Sequence, residues 1–273
     1  MTTAPFTSAK IAPRLAPMIC ALLTISAGPA CWGANWQSNV SKEPAGSFPP
    51  PRSYRATFGF GWAGITAATA DTNLNFSPPR YEFKGAARTI GLARALWRYD
   101  TNYRSVGDAR TLRPIEARQV ETLRSKKVTT AVSYTAQGVI SHVTEEPGKA
   151  KKRHFSFSAV NDLVSTMLYL RSQPMKDRSV YRVVVYPATS AYLATVTVTG
   201  REKIRVRAGT FDAIKCDLQL SKINKRHELE PHKKFRRGTV WISDDSDRIL
   251  LRSEAQIFVG TVFGELQSIR FER

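Results

Sequence analysis

Residues 54–62 read Tyr-Arg-Ala-Thr-Phe-Gly-Phe-Gly-Trp. Tyr54, Ala56, Phe58, Phe60 and Trp62 alternate with Arg55, Thr57, Gly59 and Gly61. A period of two sends successive side chains to opposite faces of an extended chain, so this stretch is a β-strand with one aromatic face and one small or polar face.

The same period recurs on both sides of it. Residues 66–76 form a second run, ended by Ser77-Pro78-Pro79, and 81–87, 115–123, 128–134 and 139–144 continue the pattern. A short segment with Gly138 joins the last two as a hairpin. Further on, 180–186, 192–201, 203–206, 211–220, 238–243, 249–256 and 260–271 read as strands. About a dozen short strands predict an all-β, mainly antiparallel fold, a curled sheet or barrel-like domain. Helix is scarce. Asn161-Asp162 before Leu-Val-Ser-Thr-Met-Leu-Tyr-Leu-Arg supplies an N-cap and a stripe of Leu163, Met167 and Leu170, with Pro174 soon after, which predicts one short helix near 161–172. A weaker helical spacing puts Ile90, Ala93 and Trp97 on one face.

The first residues concern address rather than fold. Lys10 and Arg14 precede an apolar run at 15–25, and Gly28 and Ala30 suit the −3 and −1 positions of a signal peptidase site. The run is shorter than the ~20 apolar residues of a spanning helix, so 1–30 is read as a secretory signal with no transmembrane span after cleavage. The address is periplasmic or secreted in a bacterium. Cys31 makes an outer-membrane lipoprotein the lesser alternative, because Gly28 and Pro29 fit a lipidation box poorly. Residues 31–52, rich in Pro and Ser, are expected to form a flexible leader, and 53–273 a single domain.

The formal net charge of the chain is +19, and removing the signal leaves 39 basic residues against 22 acidic ones, about +17. Nucleic acid is excluded by the export signal rather than by composition. Much of the charge lies in two segments. Lys149, Lys151, Lys152 and Arg153 fall in one, and Lys222, Lys225, Arg226, Lys233, Lys234, Arg236 and Arg237 in the other, opposed there by Glu228 and Glu230.

Several motifs occur in a distinctive order. Gly59 to Gly64 comes first, then the helix start Asp162-Leu163-Val164-Ser165, then Ile-Arg-Val-Arg-Ala-Gly-Thr-Phe-Asp-Ala-Ile-Lys at 204–215. Val-Trp-Ile-Ser-Asp-Asp-Ser-Asp-Arg-Ile-Leu-Leu-Arg follows at 240–252, with a closing segment at 260–266. Together they resemble the exported bacterial family catalogued as domain of unknown function 3108, over roughly 53–271. The resemblance implies a periplasmic, antiparallel, barrel-like protein of unknown biochemical role, and it brings no catalytic residues. The basic inserts at 147–154 and 222–237 depart from the family's pattern.

Chemical motifs are sparse. Asp244, Asp245 and Asp247 have the spacing of hard-cation ligands, but no turn Gly or bidentate Glu completes a calcium loop, so the segment reads as a turn whose carboxylates bond their own backbone. Zinc on a helix wants His at i and i+4, and Pro231 between His227 and His232 forbids a helix there, so they read as a solvated loop. No positioned nucleophile follows from the four His and many Ser residues, and no metal or cofactor is predicted. The leading expectation is a non-catalytic binder of an amphipathic or anionic envelope molecule, lipid or acidic glycan. Tyr54, Phe58, Phe60 and Trp62 line its pocket, and Lys149, Lys151, Lys152, Arg153, Lys233, Lys234, Arg236 and Arg237 form an anion-binding rim. The alternatives are an envelope hydrolase using dispersed carboxylates and a scaffold for a protein partner.

Overall fold

The computed structural model describes residues 36–272, apart from 233, 234, 236, 258 and 259. An antiparallel meander starts with β1 (Tyr54–Trp62), β2 (Ile65–Ser77) and β3 (Arg80–Thr89). After the short helix α1 (Gly91–Leu96) it continues through β4 (Tyr99–Asp108), β5 (Pro114–Leu123), β6 (Lys126–Thr135), β7 (Gly138–Glu146) and β8 (Lys151–Ser156). Beyond β9 (Val160–Asn161) the helix α2 (Leu163–Ser172) leads to β10 (Val180–Val185), β11 (Ala191–Val206) and β12 (Gly209–Ile223). The chain ends in β13 (Leu229–Pro231), β14 (Arg237–Ser243), β15 (Leu250–Ile257) and β16 (Gly260–Phe271). All sixteen strands belong to one sheet, in the order β8-β7-β6-β5-β4-β3-β2-β1-β16-β15-β14-β12-β11-β10-β9, with β13 beside β12. The last strand pairs antiparallel with the first, from Tyr54 opposite Phe271 to Trp62 opposite Val262. The segments 192–201 and 203–206, expected as two strands, are one strand, because a bulge at Val198/Gly200 absorbs the irregularity and Gly200 takes φ +151°.

The interior is occupied by α2. Val164 and Leu168 pack with Leu74, Tyr81 and Leu112 on one side. Leu170 packs with Met175, Tyr181, Val196, Val198, Ile214 and Cys216 on the other, and Leu163 lies against Val183, Val185 and Ala194. Each such aliphatic side chain, fully buried, contributes about 1.5–3 kcal/mol. Contact from two sides explains why the expected stripe is rotated: Met167 is 42% exposed, while Val164, Ser165, Leu168, Arg171 and Ser172 are buried.

Asp162 starts the helix as expected. Its Oδ1 accepts from the Ser165 backbone N–H at 2.6 Å, and the Ser165 hydroxyl accepts from the Asp162 N–H at 2.8 Å, a capping box. Its Oδ2 accepts from Ser105 Oγ at 2.5 Å and from Tyr103 Oη at 3.0 Å, which ties the helix start to β4.

The two ends of the sheet meet through side chains of β6, β7 and β8 gathered on Tyr186, the residue after β10. Tyr134 Oη donates to the Tyr186 carbonyl at 2.7 Å, the Ser141 and Tyr186 hydroxyls lie 2.9 Å apart, and Phe155 stacks on Tyr186 at 6.2 Å. Residues 36–52, expected as a flexible leader, carry contacts that a free segment would lack. Trp36 stacks on Phe157 at 5.5 Å and donates from Nε1 to the His227 carbonyl at 2.6 Å. Ser41 pairs with Arg182 on β10 through bonds of 2.9 Å in both directions. Phe48 lies under the Arg248 guanidinium at 3.4 Å, and Arg52 holds Asp247 with two bonds of 2.8 and 2.6 Å. The residues are polar and Pro-rich, but several of their backbone and side-chain groups bond to the folded domain, the Gly46 N–H donating to Ser172 Oγ and the Pro44 carbonyl accepting from Gln173 Nε2 among them.

Candidate functional site: a cationic row across the outer face

Side chains of β1 through β5 and β16 that do not face α2 point outward, and there the sheet is hollowed into a groove of about 860 Å³. The register places its residues in two rows. Arg270 stands opposite Arg55, Arg55 opposite Asn73, Asn73 opposite Lys84, Lys84 opposite Arg104, and Arg104 opposite Arg118. The neighbouring row is Ser268, Thr57, Asp71, Ala86, Asn102 and Val120. Five of six positions in the first row are therefore cationic. At about 4.8 Å per strand the row runs about 24 Å along the sheet.

Like charges directly opposed on adjacent strands destabilise a sheet, so the row carries a cost that must be offset. Carboxylates offset part of it. Arg104 bridges Glu82 at 2.5 Å and Glu116 at 2.6 Å, Lys84 bridges Glu82 at 2.9 Å, and Arg55 meets Glu272 at 3.2 Å. Hydrogen bonds from Lys84 and Arg104 hold the Glu82 carboxyl below its ordinary range. Asp71, in the second row, accepts from Thr57 Oγ1 at 2.9 Å. Arg118 and Arg270, at the two ends of the row, are exposed and have no ion pair among the described residues. The arrangement is a strip of guanidinium and ammonium donors beside a mostly polar row in which Ala86 and Val120 are the apolar members, which suits an elongated anion.

The sequence-predicted residues lie elsewhere. Tyr54 and Phe58 pack in the core with Ala56, Leu251 and Leu266, and burial pushes the Tyr54 hydroxyl up to about 12. Phe60 is half-buried over Gly264, where a Cβ would come within 2.7 Å of its ring. Trp62 is exposed at the β1–β2 turn. Lys149, Lys151, Lys152 and Arg153 are exposed around the start of β8, and Arg153 donates to the Thr189 carbonyl at 3.3 Å. Arg237 bridges Asp217, while Lys233, Lys234 and Arg236 lie outside the described residues. Phe155, just after the first basic segment, stacks on His227 of the second at 5.3 Å.

The remaining motifs have structural partners. Asp245 Oδ1 accepts from Ser243 Oγ and the N–H groups of Asp247 and Arg248, while Asp244 bridges Arg201 at 2.8 Å. The histidines read as solvated are stacked instead, His227 on Phe155 and His232 near Tyr192 at 5.3 Å. Among the described residues no three His, Cys, Asp or Glu side chains gather to hold a metal ion. Cys216 is buried and free, its thiol pushed up to about 12 by burial. Among the same residues, no helix is long and apolar enough to cross a membrane.

A family model described as protein of unknown function, DUF3108, matches residues 53–267. The chain belongs to that family. No curated protein matches this DUF3108 chain. Among solved structures it is similar to a β-barrel-like protein of the DUF1849 family from Brucella abortus, with 11% identity, 82% of this chain and 99% of that chain covered, and a TM-score of 0.57. That likeness is one of fold. Two others are a candidate lipoprotein from Parabacteroides distasonis, with 9% identity, 84% and 100% coverage and a TM-score of 0.35, and a candidate exported protein of YmcC-like fold from Bacteroides fragilis, with 11%, 83%, 99% and 0.31.

Proposed function

We propose that this DUF3108 chain is an exported envelope protein that binds an elongated anionic molecule, a phosphate- or carboxylate-bearing lipid or glycan, along the outer face of its sheet. The observation that carries this reading is the row Arg270, Arg55, Lys84, Arg104 and Arg118, cations on five of six adjacent strands, interrupted by Asn73 on β2, with both end members unpaired among the described residues. Packing favours the outer face over the interior, since α2 occupies the space a lumenal ligand would need. The periplasmic or secreted address rests on the signal-like segment 1–30. No bond of the ligand needs to break for this role. The groups contributed are hydrogen-bond donors and charge.

Calorimetric titration of the signal-free chain with polygalacturonate and with soluble dihexanoylphosphatidylglycerol tests the proposal and distinguishes glycan from lipid. Binding to one of them is expected, weakening with salt and falling several-fold in the Arg118→Ala/Arg270→Ala double variant. Absence of binding to both probes at low salt, or unchanged affinity in the double variant, overturns it.

A further inference from the structure

In an antiparallel meander every second connection lies at the same end of the sheet. The β1–β2, β3–β4, β5–β6 and β7–β8 connections therefore share one end. That end carries the large apolar side chains least covered by the protein: Leu92 is 84% exposed, Leu96 78%, Ile65 71% and Trp62 47%. Leu92 and Leu96 stand four residues apart on α1, so they project from one side of it. The Ile90 N–H donates to the Ala67 carbonyl at 2.9 Å and holds the start of α1 beside β2, while Ile65 is paired with Trp62 across the turn. The four residues thus form one contiguous tip. Exposed apolar surface of this kind marks an interaction site.

The surroundings identify the occupant. The Arg124 N–H donates to the Arg98 carbonyl at 2.9 Å, which brings the β5–β6 turn against the segment leaving α1. Arg94 and Arg98 both face Asp100, at 2.9 and 3.7 Å, whereas Arg124 and Lys126 are exposed with no ion pair among the described residues. Beyond them Glu145 and Glu146 end β7, Glu146 bridging Lys127 at 3.0 Å, and the basic stretch at the start of β8 follows at the same end. An apolar tip with leucines, isoleucine and an indole, bordered on one side by unneutralised cations, complements a surface that is apolar within and anionic at its face.

We propose that this end of the protein docks on an anionic phospholipid leaflet, with Leu92, Leu96, Ile65 and Trp62 entering the headgroup boundary and Arg124 and Lys126 on the phosphates. The site is separate from the groove and stands without it. Co-sedimentation of the signal-free chain with phosphatidylcholine vesicles, with and without phosphatidylglycerol, tests it. Binding that requires phosphatidylglycerol is expected, as is quenching by brominated lipid that falls in Trp62→Phe. Leu92→Ser/Leu96→Ser should weaken partitioning by about tenfold or more while leaving the melting temperature unchanged, because both side chains are already in water. Arg118→Ala/Arg270→Ala should leave vesicle binding intact, which separates failure of the tip from failure of the groove. Equal binding by Leu92→Ser/Leu96→Ser, indifference to phosphatidylglycerol, or a solution dimer that those serines dissolve would overturn the proposal.

Discussion

Replacing Asp162 by alanine tests what fixes α2 inside the sheet. The carboxylate is fully buried and accepts from the Ser165 N–H, Ser105 Oγ and Tyr103 Oη. Loss of an N-cap acceptor costs about 1 kcal/mol. Two buried hydroxyl donors would also lose their acceptor, at about 1–3 kcal/mol each, although the Ser105 hydroxyl can rotate toward another partner and recover part of this. A loss of about 3–5 kcal/mol follows, or roughly 6–20 °C in melting temperature for a domain of this size. Asp162→Asn keeps one acceptor oxygen and should lose about half as much. Guanidinium unfolding followed by tryptophan fluorescence measures both. If Asp162→Ala loses only about 1 kcal/mol, the cap alone accounts for the effect and the link to β4 contributes nothing.

Two further outcomes follow from the same contacts. Arg171 is buried, its guanidinium lowered to about 10 by burial, and it donates to the carbonyls of Asp247 at 2.7 Å, Ser246 at 3.0 Å and Pro49 at 2.5 Å. Arg171→Met should free the segment around Phe48, and tryptic cleavage after Arg52 should accelerate several-fold with a small change in global stability; equal cleavage rates would contradict this. The second outcome concerns alkaline pH. Burial raises both Tyr54 and Cys216 to about 12, so the folded state holds these protons more tightly than the unfolded state does. Their contribution is complete below about pH 9 and is lost as pH rises from there to about 12, at up to about 1.4 kcal/mol per pH unit for each group. Unfolding midpoints from about pH 8 to about pH 11 should fall accordingly, and a flat profile would refute the assignment.

Alternation exposed most of the strands because their inward positions are apolar, as at Tyr54, Ala56 and Phe58. It failed for β4, whose inward residues include Tyr99, Thr101, Tyr103 and Ser105: two of them are hydroxyls turned to Asp162, so the strand reads as polar. It failed for β8 because an edge strand rich in lysine and arginine looks like a solvated insert. The cationic row was hidden for a different reason. Arg55, Lys84, Arg104, Arg118 and Arg270 are each unremarkable on the polar face of one strand, and only the register between strands aligns them. The apolar tip could have been suspected from Leu92 and Leu96 lying off the face of Ile90, Ala93 and Trp97.

The meeting of the two ends of the sheet at Tyr186 has a mechanical consequence. Everywhere else around the wall, neighbouring strands are zipped by main-chain ladders, but at this boundary the contact consists of rings and hydroxyls around Tyr186, with Trp36 and Phe157 laid beside it. Parting the wall there breaks no ladder. The weakest line under load therefore runs lengthwise between the two halves of the chain, and Trp36, within the segment expected as a leader, acts as its clasp.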